Sequence, residues 1–287
     1  MKNILLFSLI TFSLFDVSAQ SLNTNLQSII SRYSSDSLLN GTMIIAKGNK
    51  VLVKGAFGIK NIEKKEENSL SALFPIASLT KQFTSSAILL LEQKNKLSIN
   101  DKIGDYIEVP ESMNNIQIKN LMNHTSGIPD YLQHNIYNQK DSIYDFLQKK
   151  DSLEFNTNTE HRYCNSGYFL LGEIIESVSG NTYGDFLKEK IFIPLGMKNT
   201  FVNQGIDFDR AVGYDEKWNK NDYLMTTGDG GIISTVDDLY LWDKALLEHK
   251  ILTTESRQIM FKPTKLENEK IINYGLGWDI NESNNQN

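Results

Sequence analysis

Leu73-Phe74-Pro75-Ile76-Ala77-Ser78-Leu79-Thr80-Lys81 is a short extended lead-in that turns into a helical pattern. From Leu79 onward apolar residues return at Phe83, Ala87, Leu90 and Leu91, which places them on one face of a helix. This spacing puts Ser78 on the first turn, three residues ahead of Lys81. Residues three apart on a helix are neighbours on one face, so the serine hydroxyl and the lysine amine can point into one space. A serine is a weak nucleophile until a base takes its proton. A lysine whose ammonium form is disfavoured by burial or by nearby positive charge can be that base. The same letters also describe a plain helix start with a capping serine and a solvated lysine, so the pattern needs support from elsewhere in the chain.

The first residues read as a secretory signal. Lys2 supplies the positive start, Ile4 to Phe15 the apolar run and Val17-Ser18-Ala19 the small-residue cleavage site. The expectation is a leader over residues 1–19 and an exported product, periplasmic or secreted. That apolar run is too short to span a bilayer as a helix, and no later stretch is long and apolar enough to be a membrane span. The length of residues 20–287 suits one large domain or two intimate lobes, taken here as a single domain, and a chain that is 40% hydrophobic can bury a substantial core. A net charge of −6 without a basic block argues against nucleic acid as a partner. Cys164 is the one cysteine, which excludes an internal disulfide, and four scattered histidines without an H-E-x-x-H pattern give no metal site. No cofactor is implied.

Leu22, Leu26, Ile29, Ile30 and Tyr33 predict an amphipathic helix closed by Asn40-Gly41. Thr42 to Ala46 and Val51 to Phe57, rich in β-branched and aromatic residues, predict a hairpin across Lys47-Gly48-Asn49-Lys50. The charged run from Lys60 to Asn68 reads as a solvated loop. His124, in the turn Asn123-His124-Thr125-Ser126-Gly127-Ile128-Pro129, reads as a structural hydrogen-bonder in preference to a catalytic partner. Tyr163-Cys164-Asn165 precedes a second helical pattern that runs through Tyr168, Leu171, Ile174, Ile175 and Val178 to a stop at Gly180. In an extended segment Tyr163 and Asn165 point the same way. A phenol near a lysine can shuttle a proton, and an asparagine amide can hold both a lysine and a substrate amide.

Ser78-x-x-Lys81 followed by Tyr163-x-Asn165 resembles the serine β-lactamase and penicillin-binding protein superfamily, in its class C-like branch. The resemblance extends in order through Leu121 to Ile128, Tyr163 to Glu176, Ile193-Pro194-Leu195-Gly196-Met197, Gly228 to Thr235 and Tyr274-Gly275-Leu276-Gly277-Trp278. It implies an α/β fold: an antiparallel sheet begun by Thr42 to Phe57 and rejoined near Ile271 to Ile280, beside a helical lobe from about residue 100 to 234. It also implies serine hydrolysis through an acyl-enzyme, acting on D-Ala-D-Ala peptides, β-lactams or small esters. The substrate is then a small molecule or a peptidoglycan peptide. In that scheme Ser78 attacks, Lys81 and Tyr163 share the proton work, and Asn165 binds the substrate amide and orients Lys81. The rival reading is a catalytically impaired homologue kept for binding.

The chain departs from the family pattern at two places. Phe155-Asn156-Thr157-Asn158 stands where Phe-x-Pro-Gly is usual, and asparagine is the next-best residue for a left-handed turn. The third motif, Lys-Thr-Gly or His-x-Gly on a central strand, does not appear between Trp278 and Asn287. The expectation is a C-terminally truncated sheet with an unpaired edge and an oxyanion hole short of one donor. Gly228-Asp229-Gly230-Gly231 lacks any phosphate-loop pattern and reads as a close backbone approach.

Overall fold

The computed structural model describes residues 24–35, 38–136, 140–205, 207–221, 225 and 228–281. The expected leader and Leu22 lie outside these residues. The described residues divide into two compact units, one within Met1–Leu73, Asp209–Asn221 and Thr235–Tyr240, the other within Phe74–Phe208, Asp222–Ser234 and Leu241–Asn287.

In the first unit a helix over residues 24–35 (α1) leads to strands β1 (Gly41–Lys47) and β2 (Lys50–Phe57). They pair antiparallel from Gly41 opposite Phe57 to Lys47 opposite Lys50, with a bulge between Ile45 and Ala46. Gly48 supplies the positive φ that the two-residue turn requires. The charged run is more ordered than a solvated loop. Ile59–Asn61 (β3) and Glu66–Glu67 (β4) form a small ladder, and the Lys60 amine lies 2.6 Å from Asp209.

The second unit is mostly helical. Its elements, in chain order, are β5 (Phe74–Pro75), a 3₁₀ turn at Ala77–Leu79, α2 (Thr80–Gln93), α3 (Ile118–Met122), α4 (Lys140–Gln148), α5 (Asn165–Ser179), α6 (Tyr183–Leu187), α7 (Ile193–Leu195) and β6 (Phe201–Val202). They are followed by β7 (Ile232–Ser234), α8 (Val236–Leu247), α9 (Thr254–Met260), β8 (Thr264–Lys265) and β9 (Ile271–Ile272), with the first turn of α8 belonging to the first unit. Strand β7 lies between β5 and β6, so the extended lead-in to Ser78 is fixed by antiparallel pairing of Phe74 with Ser234 and Pro75 with Ile233. The segment from Ile271 does not rejoin the hairpin strands: β9 pairs with β8 in a ladder of its own, and Tyr274 bridges to Asp279.

The core centres on α2 packed against α5. Phe83, Ala87, Ile88 and Leu91 of α2, and Phe169, Leu170, Leu171, Ile174 and Ile175 of α5, are buried. Helix α2 is more enclosed than one apolar stripe predicts, because Thr84, Ser85 and Ser86 are buried too. Their hydroxyls are satisfied at close range: Thr84 donates to the Gly228 carbonyl at 2.6 Å, Ser85 pairs with the Tyr168 hydroxyl at 3.0 Å, and Ser86 donates back to Gln82 O at 2.8 Å. A hydroxyl hydrogen-bonded in this way can be buried without the usual penalty. Gly180, in the left-handed conformation, ends α5 where the sequence places its stop.

The loop at 123–131 is sewn to the segment at 154–166. Glu154 and Asn158 N–H groups donate to the carbonyls of Gly127 and Thr125, each at 2.8 Å, and the Arg162 N–H donates to His124 O at 2.9 Å. Thr157 Oγ1 donates to Ser126 O, Cys164 Sγ to Ile128 O, and Ser166 Oγ to Pro129 O. Asn158 holds φ +67, so the asparagine substitutes for glycine in the left-handed turn. Gly127 is irreplaceable on two counts: its φ is +78, and a Cβ there would lie 2.1 Å from Phe155 O. At the centre of the seam, His124 Nδ1 accepts from the Cys164 N–H at 3.1 Å, and Nε2 lies 3.1 Å from the Tyr274 hydroxyl. An unprotonated Nδ1 fixes the neutral tautomer with hydrogen on Nε2, which donates to Tyr274. Burial, with the nearby Lys81 ammonium and His161, holds this imidazole well below its usual value of 6.5.

Two outcomes follow from the seam. Gly127→Ala should lower unfolding stability by more than about 2 kcal/mol in urea denaturation, combining left-handed strain with a backbone clash; a smaller loss would mean that the seam yields easily. An unfolded histidine takes a proton below about 6.5 while folded His124 does not. The unfolded state therefore binds more protons in that range, and the stability from neutral His124 is full above 6.5 and is lost as pH falls below it, by up to about 1.4 kcal/mol per pH unit. Denaturation from neutral to acid pH should show a shallower decline for His124→Gln than for the parent. Parallel declines would show that His124 titrates normally.

Candidate active site

Ser78 projects from the 3₁₀ turn between β5 and α2 and is exposed. The sequence places it on the first turn of the helix; the structure places it just ahead, because Ala77 takes φ +46, which an α-helix cannot accommodate. An alanine in the left-handed region costs on the order of 1 to 3 kcal/mol and persists only where its surroundings hold it. Here the hold comes from β7. The Ile76 N–H donates to Ile232 O at 3.0 Å, and the Ile232 N–H donates to Thr80 Oγ1 at 3.1 Å. The turn is thus gripped on both sides of Ser78.

Lys81 is the second residue of α2 and is only 1% exposed. Its ammonium donates to Ser78 Oγ at 3.3 Å, to Asn165 Oδ1 at 2.9 Å and to the Asp229 main-chain oxygen at 2.8 Å. Each of its three hydrogens has an acceptor. The faces of two tyrosine rings complete the enclosure, with Nζ 4.9 Å from the ring centre of Tyr163 and 5.4 Å from that of Tyr168. Extended Cys164 separates Tyr163 from Asn165, the first residue of α5, so both side chains face Lys81. Tyr163 is 39% exposed and its ring packs on His124 at 4.3 Å; its hydroxyl has no hydrogen-bond partner among the described residues. Ser78, Lys81, Tyr163 and Asn165 are therefore brought together around one buried ammonium.

Other members of this cluster are not apparent from the motifs alone. Asn165 Nδ2 donates to Asp130 Oδ2 at 3.0 Å, and the Tyr131 hydroxyl donates to Asp229 Oδ2 at 2.6 Å. Asp229 is carried by the glycine cluster, and a Cβ at Gly228 would lie 2.7 Å from Tyr168 O. The close backbone approach expected of these glycines brings an acceptor to Lys81, a consequence that spacing could not disclose. The only hint of Asp130 and Tyr131 was their place after the Gly-Ile-Pro turn. His124 bonds to Cys164 and Tyr274 and is structural.

Burial raises the Tyr168 phenol well above its usual value, and burial with Tyr163 and Asp279 nearby raises that of Tyr274, so both remain protonated. Tyr168 uses its hydrogen on the Met122 carbonyl at 2.6 Å. Burial also pushes the Cys164 thiol up to about 12, which keeps it from acting as a thiolate. Among the described residues no group of three or more His, Cys, Asp or Glu side chains could hold a metal ion, and no helix is long and apolar enough to cross a membrane.

The Beta-lactamase family model matches residues 26–286. The chain is 32% identical to Penicillin-binding protein 4* of Bacillus subtilis over 292 aligned positions, covering 92% of this chain and 64% of that protein. It is 26% identical to the teichoic acid D-alanine hydrolase of Staphylococcus aureus, covering 72% of this chain and 56% of that protein. The chain thus spans less than two thirds of the length of either relative. Among solved structures, a penicillin-binding protein from Bacillus halodurans is 28% identical with a TM-score of 0.76, covering 86% of this chain and 81% of that one. The architecture is therefore the β-lactamase/transpeptidase-like one. With this fold beneath an ordered serine, lysine, tyrosine and asparagine cluster, the chain belongs to the beta-lactamase family.

Proposed function

We propose that this protein is a serine hydrolase that acts through an acyl-enzyme on an amide, β-lactam or ester carbonyl. The observation that carries the reading is a buried ammonium whose hydrogen bond reaches an exposed serine hydroxyl at 3.3 Å. In this reading Lys81, once deprotonated, takes the Ser78 proton as Oγ attacks the carbonyl carbon. Tyr163, with its free hydroxyl at the exposed edge, delivers a proton to the leaving group. Water then attacks the acyl carbon and releases Ser78. Asn165 holds Lys81 through its oxygen and offers its amide to the substrate. Catalysis of this kind draws on positioning as much as on proton transfer. The relative named as a penicillin-binding protein supports a β-lactam ligand, and the one named as a teichoic acid D-alanine hydrolase supports a substrate that carries D-alanine. The same reading takes residues 1–19 as an export leader and residues 20–287 as one hydrolase domain.

A fluorophosphonate should label Ser78, and Ser78→Ala should abolish the label. Retained labelling would put the nucleophile elsewhere, and no labelling of the parent would favour a homologue that only binds. Lys81→Ala and Tyr163→Phe should each slow acylation by about 10² or more, the usual contribution of a positioned acid or base. A Lys81→Ala protein that acylates at the parent rate would remove the lysine from the mechanism.

A further inference from the structure

The three acceptors around Lys81 differ in kind. Ser78 Oγ belongs to an exposed side chain, whereas Asn165 Oδ1 and the Asp229 main-chain oxygen are buried. With two amine hydrogens held by those two oxygens, the remaining tetrahedral direction of Nζ faces Ser78. That direction carries the third hydrogen in the ammonium and the lone pair in the free amine. The aim of Lys81 therefore depends on what holds Asn165 and Asp229.

Both trace to one dipeptide. Asp130 Oδ2 accepts from Asn165 Nδ2 at 3.0 Å, while Oδ1 accepts from the Leu132 N–H at 3.0 Å. A carboxylate only accepts and an ammonium only donates, so the Asn165 amide between them has one favourable orientation. Asp229 stands between Gly228 and Gly230, whose backbones are intrinsically free, and its side chain is tied by the Tyr131 hydroxyl at 2.6 Å. The Tyr131 N–H donates to Ser166 Oγ at 3.0 Å, which fastens the dipeptide to the residue after Asn165. Asp130, Tyr131, Asn165 and Asp229 are all buried.

We infer that Asp130 and Tyr131 are positioning residues: they orient both buried acceptors of Lys81 and so aim its amine at Ser78. The inference rests on the acyl-enzyme reading and adds to it a source of alignment outside the four motif residues. Asp130 acts through Asn165, and Tyr131 acts through Asp229.

The test uses the 287-residue protein with Asp130→Asn and Tyr131→Phe, both near-isosteric. Labelling by a fluorophosphonate is resolved into the limiting rate, kinact, and the half-saturating concentration. Asp130→Asn should lower kinact about 10- to 100-fold, as misplacement of a reacting group does, with little change in half-saturation. In an Asn165→Ala background the same substitution should cost less than about twofold more, because its route to Lys81 is already gone. Tyr131→Phe should lower kinact in the same way. Unchanged kinact in variants that melt like the parent would overturn the inference, and so would an equal loss of rate from Asp130→Asn in the Asn165→Ala background. If the parent is not labelled, the acyl-enzyme reading fails and crystal structures of the variants decide the positioning claim. A turned Asn165 amide, with Nζ beyond hydrogen-bonding range of Ser78, would support it; Lys81 unmoved in both variants would refute it. Should Asp130→Asn not fold, Asp130→Ser replaces it in each measurement, while Tyr131→Phe is read through displacement of the Asp229 main-chain oxygen from Lys81.

Discussion

A lysine ammonium removed from water must find an acceptor for every hydrogen, and the helical unit is arranged around meeting that demand at Lys81. Leaving a charge of this kind uncompensated costs several kcal/mol. The acceptors come from three places: Ser78 in the preceding turn, Asn165 at the start of α5 and the main chain at Asp229. Two of them are carbonyl oxygens with no net charge. Acidic groups lie one bond farther out, as Asp130 behind Asn165 and as the side chain of Asp229 itself. The ammonium is thus solvated by dipoles without being locked into a direct ion pair.

The seam between residues 123–131 and 154–166 makes this arrangement possible. It places Asp130 and Asn165 in one layer, and it does so with backbone bonds flanked by positive-φ positions at His124, Gly127 and Asn158. Such positions are costly in isolation and are tolerated where many other bonds fix the chain. His124 shows how a histidine near a buried lysine can serve the structure alone. Both ring nitrogens are engaged, one by the Cys164 N–H and one by Tyr274, and burial keeps the ring neutral. What it contributes to the site is the surface on which Tyr163 rests.

The sequence could be read where the physics is local. Hairpin β1–β2 follows from alternating β-formers about a Gly-Asn turn and α5 stops at the glycine that permits a left-handed cap, whereas the charged composition of 60–68 does not reveal that Lys60 has Asp209 as a partner far along the chain. The segment at Ile271 likewise pairs with a neighbour that its own letters do not name. Its strand character is legible, yet strand pairing is a choice among partners, and the nine residues from Thr264 to Ile272 close a local ladder instead. On α2, buried hydroxyls concealed the true extent of the packed surface, since serine and threonine look polar until their hydrogens are seen to be satisfied.

By itself the sequence determined that Ser78 and Lys81 share a face and that Tyr163 and Asn165 point together, because spacings of three in a helix and two in an extended segment are short-range geometry. Only the tertiary structure decided which oxygens the lysine meets. Asn165 lies 84 residues from Lys81, Asp229 lies 148 residues away, and Asp130 and Tyr131 act behind them. No pattern of neighbouring letters encodes contacts at such separations. They arise when burial of α2 against α5 removes water from the ammonium and obliges the folded chain to supply the acceptors that water had given.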